Sequence, residues 1–168
     1  EHLAFQDHFK HAREWRRLDA LDRHLGKLGL KSLPYGGFVR EGAFVHFARG
    51  AVLDRQVHLL FLSVPGESPT VCHPRVLVIA EDNSEATVVE TYAGLGDGVY
   101  FTNAVTEVVA GNNARVDHLK LQQETRQAFH VATTQAQVGR TGAFISQSAT
   151  LGGKLTRNDL NVVLSGDA

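Results

Sequence analysis

Residues 76–92 read VLVIAEDNSEATVVETY: a run of β-formers, a polar turn, an alanine and a second run of β-formers. The phrase returns at residues 105–122 (VTEVVAGNNARVDHLKLQ) and 134–150 (TQAQVGRTGAFISQSAT). With Ala86, Ala114 and Ala143 as anchors, the steps are 28 residues (86 to 114) and 29 residues (114 to 143). A weaker copy places Ala51 after the turn Ala48-Arg49-Gly50, 35 residues before Ala86. A near-constant period in this range marks a stacked repeat protein.

No helix-length amphipathic pattern separates the copies, so strand follows strand through short turns. An antiparallel sandwich or barrel and a parallel β-solenoid both fit that description. If the copies stack in register, residues equally far from the anchor lie above one another, roughly 4.8 Å apart. Two positions past the anchor stand Leu53, Val88, Val116 and Ile145, an apolar row; four positions past it stand Arg55, Glu90, His118 and Gln147, a polar row. Rows that keep their character are what a solenoid requires, because each coil buries its inner face against its neighbours. This favours the solenoid. Two rows of equal parity that differ in polarity call for a bend or bulge between them.

Outward from the repeat, residues 1–33 read as a helical segment. Trp15, Leu18, Leu21, Leu25 and Leu28 recur at steps of three and four, and the interleaved charges read as a solvated face. Gly29 and Pro34 are its stop signals. Residues 34–168 form the β core, read as incomplete, with later coils and a helical region missing. Within it, residues 42–48 and 52–62 read as strands. Residues 64–74, with three of the four prolines, read as an exposed loop, as do residues 93–99. Residues 151–159 are turn-rich, and residues 160–164 form a last strand.

A formal charge of −1 leaves no basic footprint for nucleic acid. The single cysteine, Cys72, rules out an internal disulfide and is in keeping with a reducing, cytoplasmic setting. No apolar run approaches the roughly 20 residues of a membrane span, and no signal peptide is visible. The lack of any methionine reads as a piece of a longer protein.

The candidate chemistry is sparse. Cys72-His73 is the one adjacent thiol–imidazole pair, and it has no CxxC-like companions for zinc, so it reads as loop structure. His46, His58, His118 and His130 fall in strands and read as satisfied side chains; His2, His8, His11 and His24 fall in the helical segment. Gly94-Leu95-Gly96-Asp97-Gly98 departs from a dinucleotide fingerprint, with Val99 in the wrong place and no helix following. Gly153-Lys154-Leu155-Thr156 lacks the GK[ST] of a phosphate loop, and Ser146 and Ser148 lack a nucleophile-elbow context. No catalytic, cofactor-binding or metal-binding residue is assigned.

Several phrases resemble the SufB/SufD family of iron–sulfur cluster assembly proteins, and its SufD branch most. They are His73-Pro74-Arg75 leading into the first copy; Phe101-Thr102-Asn103-Ala104-Val105-Thr106-Glu107 leading to the Gly111-Asn112-Asn113-Ala114 turn and Lys120-Leu121-Gln122; and Leu151-Gly152-Gly153 followed by Arg157-Asn158-Asp159-Leu160 and Val162-Val163-Leu164-Ser165-Gly166. The resemblance implies a right-handed parallel β-helix core and a scaffold role without an active site of its own. It implies partnership with SufB and with the SufC ATPase, in a complex that builds an iron–sulfur cluster using electrons from reduced flavin. A homodimer through the β-helix is a further expectation. The family's cluster-site residues lie on coils after the Arg-Asn-Asp segment, so none carries over to this chain. Two competing readings are a SufB-like subunit carrying the cluster and a carbohydrate-active β-helix enzyme. The latter needs a repeated acidic cluster on one outer face, which the rows do not show.

Overall fold

The computed structural model describes residues 30–31 and 42–165, with side chains from residue 42 onward. The expected helical segment lies outside these residues except at its end, where the reading is corrected. Leu30–Lys31 form a short strand, β1, paired antiparallel with Val45 and Phe44. The open edge of the next strand offers unpaired backbone groups. Two residues beyond the Gly29 stop signal gain more by pairing there than by extending a helix.

The remaining strands are β2 (Gly42–Phe47), β3 (Val57–Ser63), β4 (Thr70–Cys72), β5 (Arg75–Ala80), β6 (Glu85–Gly94), β7 (Tyr100–Ala110), β8 (Arg115–Gln123), β9 (Phe129–Gly139), β10 (Ala143–Thr150) and β11 (Leu155–Ser165). They form two sheets. One runs β1-β2-β5-β7-β9-β11 with β4 also beside β7, and the other runs β3-β6-β8-β10. Every pairing after β1–β2 is parallel. Each coil crosses the first sheet, turns, crosses the second and returns, giving a parallel β-solenoid of about four turns. The successive first-sheet steps shorten from 33 residues (42 to 75) to 30 (75 to 105), 28 (101 to 129) and 26 (129 to 155).

The solenoid stands, but the alanine register does not. Ala86 pairs with Val116, and Ala143 pairs with Arg115, so the second-sheet steps are 30 (86 to 116) and 28 (115 to 143). The corner sets the register. Gly50, Asn83, Asn113 and Thr141 all have positive φ, at 71°, 60°, 54° and 55°, and occupy the same turn position in successive coils. Gly50 N donates to Asp82 O, Asn83 N to Asn112 O and Asn113 N to Arg140 O. Asn113 Nδ2 also donates to Asn83 Oδ1 at 3.0 Å. Glycine and asparagine tolerate this left-handed backbone, whereas alanine does not need it. Ala86, Ala114 and Ala143 stand three, one and two residues past the column, so they cannot be equivalent.

The proposed rows change accordingly. Val88 lies beside His118, Glu90 beside Lys120 and Tyr92 beside Gln122. Leu53 and Arg55 fall in the irregular stretch before β3. The ladder between β6 and β8 is unbroken, so the expected bend is absent. One inward face simply turns from apolar to polar along each strand.

Other boundaries shift for local reasons. β7 has eleven residues against six in β5, and β4, inside the expected loop, pairs with the remainder of its edge. Pro74, which has no N–H, falls at the break between β4 and β5. The last strand begins at Leu155, inside the segment read as turn-rich, because eleven residues pair with β9. The apolar half of the interior holds Val45, Val76, Val78, Val88, Val108, Val116 and Val138, with Phe47 and small alanines filling the narrow space. A second cluster, Phe44, Leu77 and Ile79, lies on the opposite face of the first sheet.

Candidate functional site

The polar half of the interior begins where the inward row of β6 passes from Val88 to Glu90. Strand alternation sends Glu90 and Tyr92 inward from β6, Thr102 and Thr106 from β7, His118, Lys120 and Gln122 from β8, and His130 from β9. Glu124 joins them from the return turn. All are nearly or fully buried.

Two carboxylate centres organise this region. The Glu90 carboxylate accepts hydrogen bonds from the Tyr92 hydroxyl (2.9 Å), the Thr106 hydroxyl (2.9 and 3.1 Å) and His118 Nε2 (3.0 Å). An ionised carboxylate only accepts, so His118 carries its proton on Nε2, and its buried Nδ1 has no hydrogen-bond partner. Burial alone would raise the Glu90 carboxyl; the contacts with His118, Tyr92 and Thr106 outweigh it and hold the group below its ordinary value. Burial and the neighbouring Glu90 push the Tyr92 phenol well up.

Glu124 is the second centre. It accepts from the Thr102 hydroxyl (2.8 Å) and Gln122 Nε2 (2.8 Å). His130 Nδ1 lies 2.8 Å from Glu124 Oε2. Burial raises this carboxyl too, and His130, Thr102 and Gln122 hold it low. Tyr92 joins the two centres: its ring stacks on Phe61, meets His130 edge-on, both at 4.9 Å, and lies 5.2 Å from Lys120 Nζ. Burial lowers the Lys120 ammonium to about 8, against the pull of Glu90 and Glu124.

The Arg55–Glu90–His118–Gln147 ladder is therefore not formed as a stack, although Glu90 and His118 do touch, on a diagonal between neighbouring strands. Cys72 and His73 do not converge. The Cys72 thiol lies 3.5 Å from Thr102 Oγ1 and 3.7 Å from Phe101 O. His73 Nδ1 meets Asn103 Nδ2 at 3.2 Å, and Arg75 donates to the Asn103 carbonyl at 3.0 Å. His73-Pro74-Arg75 thus fastens the β4–β5 break to β7. His46 meets Glu81 at 3.0 Å and His58 meets Thr91 Oγ1 at 2.8 Å, both as satisfied side chains; His2, His8, His11 and His24 lie outside the described residues.

Gly94-Leu95-Gly96-Asp97-Gly98 leads into β7, and Gly153-Lys154-Leu155-Thr156 leads into β11, so neither glycine segment opens a helix. Ser146 and Ser148 stand exposed on β10. Among the described residues no group of three or more His, Cys, Asp or Glu could hold a metal ion, and no helix is long and apolar enough to cross a membrane.

Most of the interior cluster escaped the sequence reading. Its one signal is parity: Ala86, Val88, Glu90 and Tyr92 alternate without a break, as do Val116, His118, Lys120 and Gln122.

A parallel solenoid with a stacked asparagine corner and an ion-paired interior defines the class: a rigid β-helix. The SUF system FeS cluster assembly, SufBD core domain, matches residues 62–168. The chain belongs to the SufB/SufD family. It is 32% identical over 136 residues to an iron–sulfur cluster assembly SufBD family protein of Synechocystis, covering 76% of this chain and 30% of the relative. It is 30% identical over 131 residues to the chloroplastic protein ABCI7 of Arabidopsis thaliana (77% and 26%), and 30% identical over 104 residues to the iron–sulfur cluster assembly protein SufD of Escherichia coli (62% and 25%). The matched part thus spans between a quarter and a third of these relatives. No solved structure matches.

Proposed function

We propose that the chain is the β-helix part of a SufD-like scaffold in iron–sulfur cluster assembly. It would act in the cytoplasm by pairing with a SufB-like β-helix and serving a complex with the SufC ATPase. The family match over residues 62–168 carries the reading, and relatives named SufD in two bacteria support its SufD branch. The architecture suits the role. The interior is closed by side chains, and the surface offers stacked strands on which another protein can dock. At the β11 end the inward-facing Leu160, Val162 and Leu164 are exposed, an apolar row suited to further strand stacking.

In this reading the nascent cluster is cargo, and reduced flavin serves the complex as a whole. The chain has no catalytic residue of its own, and Cys72 is structural. The test is co-expression with SufB-like and SufC-like proteins, with complementation of a strain lacking SufD. Co-elution and restored cluster assembly, unaffected by Cys72→Ser, are expected. A chain that elutes alone and restores nothing refutes the scaffold reading. Loss of assembly in Cys72→Ser with the complex intact refutes the structural role of the thiol.

A further inference from the structure

A strand in a solenoid has one side toward the interior and one side outward, so its burial should alternate. β7 and β9 alternate along their whole length, buried inward and half-buried outward. β5 does not: from Val76 to Ala80 five consecutive residues are buried. Val76, Val78 and Ala80 belong to the interior, whereas Leu77 and Ile79, at 2% and 3% exposed, point outward and pack with Phe44. A strand buried on both faces reads as a continuous apolar run, as VLVIA does.

The outer side of this sheet changes character from coil to coil. Phe44, Leu77, Glu107 and Gln135 are paired neighbours along one row, and His46, Ile79, Val109 and Gln137 along the next. The apolar part is centred on β5, reaches Phe44 on one side and Val109 on the other, and gives way to glutamines on β9. Among the described residues every strand belongs to one of the two sheets, and the second sheet lies on the inner side. No described strand therefore covers Leu77 and Ile79.

The chain itself holds a segment that matches. Trp15, Leu18, Leu21, Leu25 and Leu28 form one stripe at helical spacing. A helix over residues 15–28 would be about 20 Å long, and the six residues of β5 span about 20 Å. The connection is short as well. β1 lies beside β2, with β5 next, so about 10 Å separates β1 from β5. Leu28 and Leu25 stand two and five residues before Leu30, enough chain to cross that distance. Leu60 and Leu62, on the outer side of the second sheet, are exposed, so the burial singles out one face.

We propose that residues 15–28 dock as an amphipathic helix on the outer side of the first sheet, over Phe44, Leu77 and Ile79, and close that face of the solenoid to other proteins.

The experiment times maleimide labelling of single cysteines in the full chain carrying Cys72→Ser. Ile79→Cys is expected to react slowly and Leu62→Cys fast. Adding Leu21→Asp should speed Ile79→Cys labelling by about ten-fold or more, because a charge replaces an apolar contact, while Leu62→Cys and the inner-face Val78→Cys keep their rates. Acceleration by Phe38→Asp and not by Leu21→Asp overturns the proposal, since residues 32–41 would then be the cover. Protection of Ile79→Cys that is lost on dilution overturns it in favour of a second copy of the chain. Equal acceleration at Val78→Cys overturns it too, because the segment would then be no separate layer. Trp15, the one tryptophan, gives a second measurement should Leu21→Asp fail to fold. Its quenching by acrylamide should rise in Ile79→Ser and not in Leu62→Ser; no rise in Ile79→Ser overturns the docking.

Discussion

Glu90→Gln is the sharpest test of how the interior is held together. The substitution keeps size and shape and removes one acceptor oxygen and the charge. In the parent chain three donors, from Tyr92, Thr106 and His118, converge on the carboxylate at 2.9 to 3.1 Å. The amide has one acceptor oxygen, and its NH2 faces groups that are themselves donating. At least one charge-assisted bond is lost, about 1.5–3 kcal/mol, and a buried donor is left unsatisfied, about 1–3 kcal/mol. Because the hydroxyls can rotate, the two losses overlap, and the net expectation is about 3 kcal/mol. In a chain of this size that lowers Tm by roughly 6–12 °C. Urea titration and thermal melts followed by circular dichroism measure it. Thr106→Val removes one donor and should cost about 1 kcal/mol alone, but less in the Glu90→Gln background, where that donor is already compromised. A Glu90→Gln loss below about 0.5 kcal/mol, or costs that simply add, would refute the argument that the carboxylate is a shared acceptor.

Three more outcomes follow from the same geometry. Asn113→Ala should destabilise by about 1–2 kcal/mol in urea titrations, since it forces a non-glycine residue without a polar side chain into the left-handed corner and removes the bond to Asn83, while Asn113→Gly should cost less. Glu90 and Glu124 sit below their ordinary value of 4.5, so their stabilisation is complete above that pH and disappears as pH falls through the folded values. A urea series from pH 7 to 3 should be steeper below 4.5 in the parent chain than in Glu124→Gln. Lys120 titrates in the folded chain at about 8 against 10.5 ordinarily, so stability should climb between those values, and Lys120→Met should abolish the climb and add about 1–2 kcal/mol at pH 7.

The stacked fold was legible because β-branched runs and polar turns recur at nearly equal spacing. The register was not, because alanine fits either face and many backbone conformations, so a column of alanines carries little information. Asn83 and Asn113 carried more, since few residues tolerate their backbone, but the sequence alone does not mark φ. The interior site was hidden for a different reason. Glu90, Lys120 and Gln122 share the parity of Val88 and Val116 but not their polarity, and only the pairing of their strands shows that this polar half also faces inward. Cys72 drew attention by its rarity, while its environment, a threonine hydroxyl and a carbonyl, is ordinary.

The spacing of the coils also bears on how fast the chain can fold. Partner residues in neighbouring coils stand 26 to 33 positions apart (129 to 155 and 42 to 75). Pairings this far apart in sequence are the non-local kind that slows folding. Each closure costs nearly the same entropy, because loop length enters only logarithmically. The first pairing of two coils is therefore the slow event, and later coils add to a finished edge. The best-buried valines, Val78, Val88, Val108 and Val116, place that nucleus in β5 to β8, and mutations there should slow folding, whereas mutations in β11 should chiefly speed unfolding.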